Sequence, residues 1–159
     1  MHKIMGYILN LKKIFALCIS FVFVISSSAC FKSKPEVYHF TGTDFTDYYV
    51  SSLQGLSYCE YERITLGNPH SLVPGPTDYE YRGIIHLSEE EAEKIFNSYS
   101  WTEDTSFSCP DFGTVNTSFA NNDSWYSCHE FQNDYFNYLN VHDLRFNGKD
   151  AILFDAISM

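Results

Sequence analysis

Residues 79–99 read YEYRGIIHLSEEEAEKIFNSY and join a strand pattern directly to a helix pattern. In the first part, an alternation with period two places five side chains on one face: Tyr79, Tyr81, Gly83, Ile85 and Leu87. Such an alternation is typical of a strand that is half buried in a sheet. We therefore expect a strand over residues 79–87.

The second part of this stretch has the signals of a helix start. Ser88 is a preferred N-cap residue, and Glu91, three residues later, completes a capping box. Apolar side chains then recur at helical spacing and form one stripe: Ala92, Ile95, Phe96 and Tyr99. The pattern predicts a well-capped helix over about 88–99 that packs on the sheet through this stripe.

Two further strand patterns precede this stretch. Residues 37–40 form a short β-prone run, and residues 56–66 read LSYCEYERITL. Glu60 and Glu62 interrupt the face of the longer run that we expect to be apolar, which is formed by Leu56, Tyr58, Ile64 and Leu66. Residues 69–77 contain three prolines and a glycine, which predict a loop.

The end of the sequence predicts a β-hairpin. Residues 144–146 and 149–157 are apolar runs that are separated by Asn147-Gly148. Asn-Gly between such runs is the strongest short-range hairpin signal, because a type I′ turn needs positive φ at both positions. We therefore expect a C-terminal hairpin at Asn147-Gly148.

Residues 125–139 are ambiguous between helix and strand. Phe131, Tyr135 and Leu139 have helical spacing, whereas the density of aromatic residues favours strands. We interpret this segment as strands, and residues 102–123 as polar and irregular. Together, these elements predict an α+β domain in which one helix packs on an antiparallel sheet.

Residues 1–29 have the composition of a signal peptide. Three lysines, at positions 3, 12 and 13, precede an apolar run at residues 14–25, and small residues follow it. As a helix, this run of twelve residues would be ~18 Å long, which is too short to cross a hydrocarbon core of ~30 Å. We therefore expect export rather than a membrane span.

The end of this leader, Ser27-Ser28-Ala29-Cys30, resembles the lipobox of bacterial lipoproteins. The resemblance implies that Cys30 is diacylated and becomes the mature N-terminus, so that the protein is lipid-anchored to the cell membrane or outer membrane and faces outside the cytoplasm. Residues 30–36 would then form a tether, and residues 37–159 a single exported domain. The alternative is ordinary secretory cleavage after Ala29, which leaves Cys30 unmodified.

The exported domain is strongly acidic and rich in aromatic residues. The 159 residues include 10 basic and 20 acidic side chains, a formal net charge of −10. Residues 1–29 contain three lysines and no acidic residue, so the net charge without them is −13. Twelve tyrosines, fourteen phenylalanines and two tryptophans supply enough apolar surface for a folded core. The charge excludes binding to nucleic acid through a basic surface and favours a basic partner.

The cysteines allow one disulfide in the exported domain if Cys30 is lipidated. Cys109 and Cys128 would close a loop of about twenty residues, worth ~3 kcal/mol in the chain-entropy model, and Cys59 would then stay free. If Cys30 is not lipidated, four cysteines allow two bridges in three connectivities. The sequence has no C-x-x-C pair, and we expect neither a metal site nor a cofactor.

Four aromatic residues are candidates for a binding face. They form two closely spaced pairs: Tyr79 with Tyr81, and Trp125 with Tyr126. Tyrosine and tryptophan are enriched in interaction hot spots, and their rings stack on sugars. The alternative is that these rings fill the core.

The sequence contains no recognisable catalytic motif. It has no nucleophile elbow, zinc-protease helix, P-loop or dinucleotide fingerprint. Cys128-His129-Glu130 places three reactive side chains in succession, but neighbours in a strand point to opposite faces. We therefore expect a non-catalytic binding domain of the cell envelope for a basic protein or a cell-wall glycan. The alternative is a small envelope hydrolase that uses dispersed carboxylates or Cys59.

Overall fold

A computed structural model of the chain describes three stretches of the sequence: residues 35–66, 78–117 and 124–158. All of them belong to one unit, Pro35–Met159. The expected signal peptide at residues 1–29, Cys30 and the expected loop at residues 69–77 lie outside the described residues. The expected tether is described only from Pro35 onward.

A seven-stranded antiparallel sheet is the centre of the described structure. In chain order its strands are β1 (Val37–Thr41), β2 (Leu56–Leu66), β3 (Asp78–Leu87), β4 (Thr102–Glu103), β5 (Tyr126–Ser127), β6 (Leu139–Phe146) and β7 (Ala151–Ser158). They lie in the order β1-β2-β3-β7-β6-β5-β4. The prediction of an α+β fold with an antiparallel sheet is confirmed at this level.

Helices cover one face of the sheet. Those in the described residues are α1 (Asp44–Tyr49), α2 (Glu89–Ser98) and α3 (His129–Tyr135). Each contributes a buried apolar side chain to the main core, namely Phe45, Ile95 and Phe131. These side chains pack against the inward-facing residues of the central strands, including Ile85 and Phe154. Only one helix is predicted by the sequence, so α1 and α3 are additions to the expected architecture.

The prediction of strands throughout residues 125–139 is wrong. A two-residue strand, β5, is followed at once by α3, and β6 begins only at Leu139. Helical spacing places Phe131 and Tyr135 on one side of α3, with their ring centres 4.8 Å apart. Phe131 is fully buried and also contacts Tyr99 and Trp101 at ring distances of 5.4 and 5.2 Å. Burial of this ring in a helical arrangement outweighs the β propensity of the aromatic residues.

In strand β2, the side chains that enter the main core belong to the face that the sequence pattern did not predict to be apolar. Cys59 and Tyr61 are buried in the main core. Because strand residues alternate between faces, Glu60 and Glu62 project from the opposite side of the sheet, together with Tyr58. The main core therefore lies on the face opposite to the one expected to be apolar.

A second, smaller core covers part of that opposite face. Ile84 and Leu153 of the sheet contact Phe112, Val115 and Trp125, all of them buried. Beyond the short strand β4, residues 104–117 are irregular, in agreement with the sequence analysis. That segment is nevertheless not simply polar, because two of its side chains complete this core.

Strands β6 and β7 form a hairpin, but its turn is not the expected type I′. The two strands are joined by residues 147–150, and in the described residues only glycines have positive φ, with Gly148 at 72°. Asn147 does not need a left-handed backbone because its side chain organises the connection. Its Oδ1 accepts hydrogen bonds from the backbone N–H groups of Lys149, Asp150 and Ala151 at 3.0, 3.0 and 2.8 Å.

Candidate binding cleft

A cleft of about 850 Å³ lies between the start of α2 and the connection of the β6–β7 hairpin. Carboxylates on both walls face it, and Phe96 supplies an aromatic surface between them. We call it the acidic cleft and define it by the residues Glu89, Glu93, Phe96, Lys149 and Asp150. The end of α2 at Ser98 and the start of the hairpin connection at Asn147 are about 50 residues apart in sequence, so only the fold brings them together.

Backbone and side-chain hydrogen bonds hold the hairpin connection in place beside the cleft. The N–H of Leu87, at the end of β3, donates to the backbone oxygen of Asp150 at 2.7 Å. The buried amide of Asn147 donates from Nδ2 to the Asp150 carboxylate at 3.0 Å. Asp150 is therefore positioned by the turn and presents a carboxylate of defined orientation.

Gly148 lets the hairpin connection approach the aromatic surface closely. Its φ is 72°, and a Cβ at this position would lie 3.1 Å from the Phe96 ring and 3.3 Å from the Tyr126 ring. Phe96 and Tyr126 pack edge to face with ring centres 5.3 Å apart. A side chain at position 148 would therefore intrude on the ring of Phe96, which lines the cleft, and on that of Tyr126.

The charges of the acidic cleft favour a cationic ligand. Three carboxylates and one ammonium group line it. Glu91, in the same turn of α2, is instead buried and accepts from Lys94 at 3.1 Å, so it faces away from the cleft. A lysine or arginine side chain can place its aliphatic stem on Phe96 while its charged end reaches the carboxylates.

The four aromatic residues predicted to form a binding face are not brought together. Tyr81 is only 8% exposed and packs on Phe45 in the main core, and Trp125 is 2% exposed and belongs to the second core. Tyr126 is half buried against Phe96, whereas Tyr79 is half buried near the start of β3, at the opposite end of that strand from the acidic cleft. Burial leaves Tyr81 and Trp125 no surface to offer a ligand.

The described cysteines are all free thiols: Cys59, Cys109 and Cys128. Cys109 and Cys128, the possible disulfide pair, are not joined to each other in the structure. Burial raises the pKa of the Cys59 thiol to about 12, with a smaller contribution from the nearby Glu60. Because the thiolate is the nucleophilic form, Cys59 is poorly suited to catalysis.

A second group of carboxylates lies on the face opposite the helices. Asp143 of β6 stands directly opposite Asp155 of β7, a position in which Cβ atoms are about 5 Å apart. Burial raises the pKa of Asp143, although Arg145 at 2.7 Å acts in the opposite direction. His142 lies 3.6 Å from the Asp155 carboxylate. Neither aspartate lines the acidic cleft.

The acidic cleft could not be recognised in the sequence. In the sequence, the glutamates of residues 89–93 are explained as part of a helix start, and Phe96 is explained as part of the apolar stripe of that helix. Asn147-Gly148 is explained as a turn. Each explanation is local, whereas the cleft arises from contact between distant elements. Among the predicted binding residues, Tyr126 does not line the cleft but packs against Phe96, which does.

Within residues 35–66, 78–117 and 124–158, no group of three or more histidine, cysteine or acidic side chains is arranged to hold a metal ion. Helices in these same stretches are too short or too polar to cross a membrane. A comparison of the chain with models of protein families, with curated proteins and with solved structures finds no match.

Proposed function

We propose that this chain is a lipid-anchored binding protein of the bacterial cell envelope whose acidic cleft takes a basic segment of a partner protein. The observation that carries the proposal is that Glu89, Glu93 and Asp150 line one cleft together with Phe96. Carboxylates placed in this way give electrostatic complementarity to lysine and arginine, and the ring adds apolar contact. The binding unit in this proposal is non-catalytic.

The proposal depends on two local features of the fold. One is a capped start of α2, in which Ser88 Oγ accepts from the N–H of Glu91 at 3.3 Å. The other is the hairpin at Asn147-Gly148, which forms the facing wall. We infer that both are parts of the binding unit, since a frayed helix start or an open hairpin would separate the carboxylates.

The membrane location in this proposal comes from the leader. Cys30, after Ser27-Ser28-Ala29, is the anchoring residue by resemblance to bacterial lipoproteins. Two acyl chains on Cys30 would hold the domain stably at the membrane surface, outside the cytoplasm. A protein partner in the same compartment would then meet the acidic cleft at high local concentration.

Charge-reversal variants of α2 test the binding site. The full chain is titrated with a fluorescently labelled tetralysine peptide, followed by anisotropy at low and at physiological salt. Glu93→Lys should weaken binding at least about tenfold, a loss typical of a close charge pair. The matched control is Glu90→Lys, which makes the same charge change at an exposed position of α2 that does not line the cleft. Equal loss in both variants would show that only net charge matters and would contradict the proposal.

A hydrolase is the second candidate function, and the raised pKa of Asp143 opposite Asp155 favours it. Glycoside hydrolysis needs one carboxylic acid that stays protonated and a second carboxylate about 5 to 10 Å away. In this case, the full chain would release labelled fragments from isolated cell-wall glycan, and Asp143→Asn would abolish that release. An inactive wild-type chain would eliminate this candidate.

A further inference from the structure

Arg63 lies among aromatic rings at the β1 side of the sheet. In register it stands opposite Tyr38 of β1, on the face that carries the main core. Its guanidinium carbon is 5.6 Å from the ring centre of Tyr38, 5.0 Å from that of Phe40 and 5.0 Å from that of Tyr79. We call these four residues the Arg63 patch.

Arg63 differs from the other two arginines of the sequence in its partners. Arg82 is paired with Glu62 at 2.9 Å, and Arg145 is paired with Asp143 at 2.7 Å. Among the described residues, no carboxylate lies within ion-pair distance of Arg63, and its Nε is buried without a hydrogen-bond partner. The ring contacts fix the plane of the guanidinium but satisfy none of its N–H donors. Because Nε is enclosed, only the terminal N–H groups of the guanidinium could reach a ligand.

The guanidinium of Arg63 is the one charged group among the four residues of the Arg63 patch. The neighbouring acids of β2, Glu60 and Glu62, project from the other face of the sheet because strand residues alternate. Glu36, just before β1, accepts a hydrogen bond from the Tyr38 hydroxyl at 2.8 Å. Tyr38 is 45% exposed, so one ring of the patch has a free surface beside the guanidinium.

We propose that the Arg63 patch binds a carboxylate-bearing saccharide. A guanidinium matches a carboxylate with two parallel N–H···O hydrogen bonds, which are charge-assisted and directional. The exposed Tyr38 and the half-buried Tyr79 offer ring surface on which a sugar ring can stack. A simple inorganic anion or a peptide carboxylate would use the guanidinium but not the rings, and for this reason the patch fits an acidic sugar better.

This site is independent of the acidic cleft. It lies on strands β1 to β3 at the start of β3, whereas the acidic cleft is formed at the end of β3 by α2 and the hairpin. The two surfaces have opposite charge and take ligands of opposite charge. Glu93→Lys, which tests the acidic cleft, should therefore leave saccharide binding unchanged.

A pair of sugars that differ by one carboxylate tests the proposal. The full chain is titrated calorimetrically with N-acetylmuramic acid and with N-acetylglucosamine, which lacks the lactyl carboxylate. We expect binding of the acidic sugar only, and a loss of at least about tenfold in Arg63→Gln, as for a charged hydrogen bond. Arg63→Lys, which keeps the charge but loses the planar fork, should recover only part of the affinity.

Exposed tyrosines on opposite faces of the sheet provide the matched control. Tyr38→Ala should weaken binding of the acidic sugar, whereas Tyr58→Ala should not, because Tyr58 is 39% exposed on the other face. Thermal unfolding of each variant identifies loss of fold, and Tyr38→Ala carries the test if Arg63→Gln does not fold.

Absence of binding by the wild-type chain, equal binding of the neutral sugar, or unchanged affinity in folded Arg63→Gln would each overturn the proposal. Equally tight binding of N-acetylalanine would assign the patch to peptide carboxylates and overturn the saccharide assignment.

Discussion

Glu62 is a buried acidic residue on the sheet face opposite the helices. Its side chain is only 1% exposed, yet its carboxylate is charged and accepts several hydrogen bonds. Arg82 donates to it from Nε at 2.9 Å, and Thr114 donates from both its hydroxyl, at 2.7 Å, and its backbone N–H. A buried carboxylate of this kind is tolerated only because its hydrogen bonds replace those of water. Glu62 therefore ties the irregular segment 104–117 to strand β2 of the sheet.

Replacing Glu62 with glutamine should destabilise the fold at neutral pH by about 2 kcal/mol, because charge-assisted hydrogen bonds are lost and Arg82 loses its partner. Burial alone would raise the pKa of Glu62, but the hydrogen bonds from Thr114 and Arg82 outweigh it and lower the pKa below the ordinary value of 4.5. A lowered pKa contributes stability above the ordinary pKa and loses it as the pH falls through the lowered value. The difference between the wild-type chain and Glu62→Gln should thus shrink on acidification below about pH 4.5.

Urea denaturation at several pH values measures this difference. Glu60→Gln is the matched control, since Glu60 lies on the same strand and face but is less buried, at 17% exposed, with His39 as its partner. It should cost less than about 1 kcal/mol, as for an exposed pair. A pH-independent penalty in Glu62→Gln would mean that its carboxylate charge is not what holds segment 104–117.

At the scale of the element, α2 depends on its two ends to different extents. Ser88 accepts a hydrogen bond from the Glu91 N–H at the start of the helix, where backbone donors otherwise lack partners. Ser98, in the last turn, only donates back to the Lys94 oxygen at 2.7 Å and is exposed. Ser88→Ala should therefore cost about 1 kcal/mol of unfolding free energy, whereas Ser98→Ala should change it by less than about 0.5 kcal/mol. Equal effects of the two substitutions in denaturant titrations would refute the cap.

The contrast between α2 and α3 shows where local sequence information is sufficient. In α2, the capping residues, the acidic first turn and the apolar stripe all favour the same structure, and the helix lies at Glu89–Ser98, within the predicted span. In α3, Cys128 at the N-cap makes no side-chain cap hydrogen bond and only seven residues are helical. Its formation depends on the pocket that receives Phe131, which is built by distant residues. Such tertiary effects are invisible in a local pattern.

The same distinction applies to the candidate sites. Tyr79 and Tyr126 were recognisable as aromatic candidates, but their surroundings were not. The ring of Tyr79 contacts Arg63 on the neighbouring strand, and the ring of Tyr126 contacts Phe96 on α2. These contacts depend on strand register and on packing between elements that are far apart in sequence.

At the scale of the whole molecule, excess negative charge opposes compaction. The sequence has twice as many acidic as basic residues, so repulsion between carboxylates outweighs the ion pairs that join some of them to arginines. Raising the ionic strength from about 10 to about 100 mM shortens the Debye length from about 30 to about 10 Å and screens this repulsion. We expect the melting temperature to rise with sodium chloride over this range, as followed by circular dichroism. A falling melting temperature would mean that local ion pairs such as Arg145–Asp143 dominate over the net charge.

In the proposed lipoprotein, the same charge would make attachment to the membrane depend mainly on Cys30. Without residues 1–29 the domain would have a net charge of −13 and would be repelled by anionic headgroups. Lys32 and Lys34 of the expected tether would supply only about 1 kcal/mol each. Two acyl chains on Cys30 would supply far more, because each buried methylene contributes about 0.8 kcal/mol.

In a bacterial host, we therefore expect the wild-type chain to stay in the membrane fraction after a high-salt wash, and Cys30→Ala to be released into the soluble fraction. The matched control is Cys109→Ala, which should remain membrane-bound. Mass spectrometry of the mature N-terminus should find a diacylated Cys30, and an unmodified Cys30 on an exported, soluble chain would disprove the anchor.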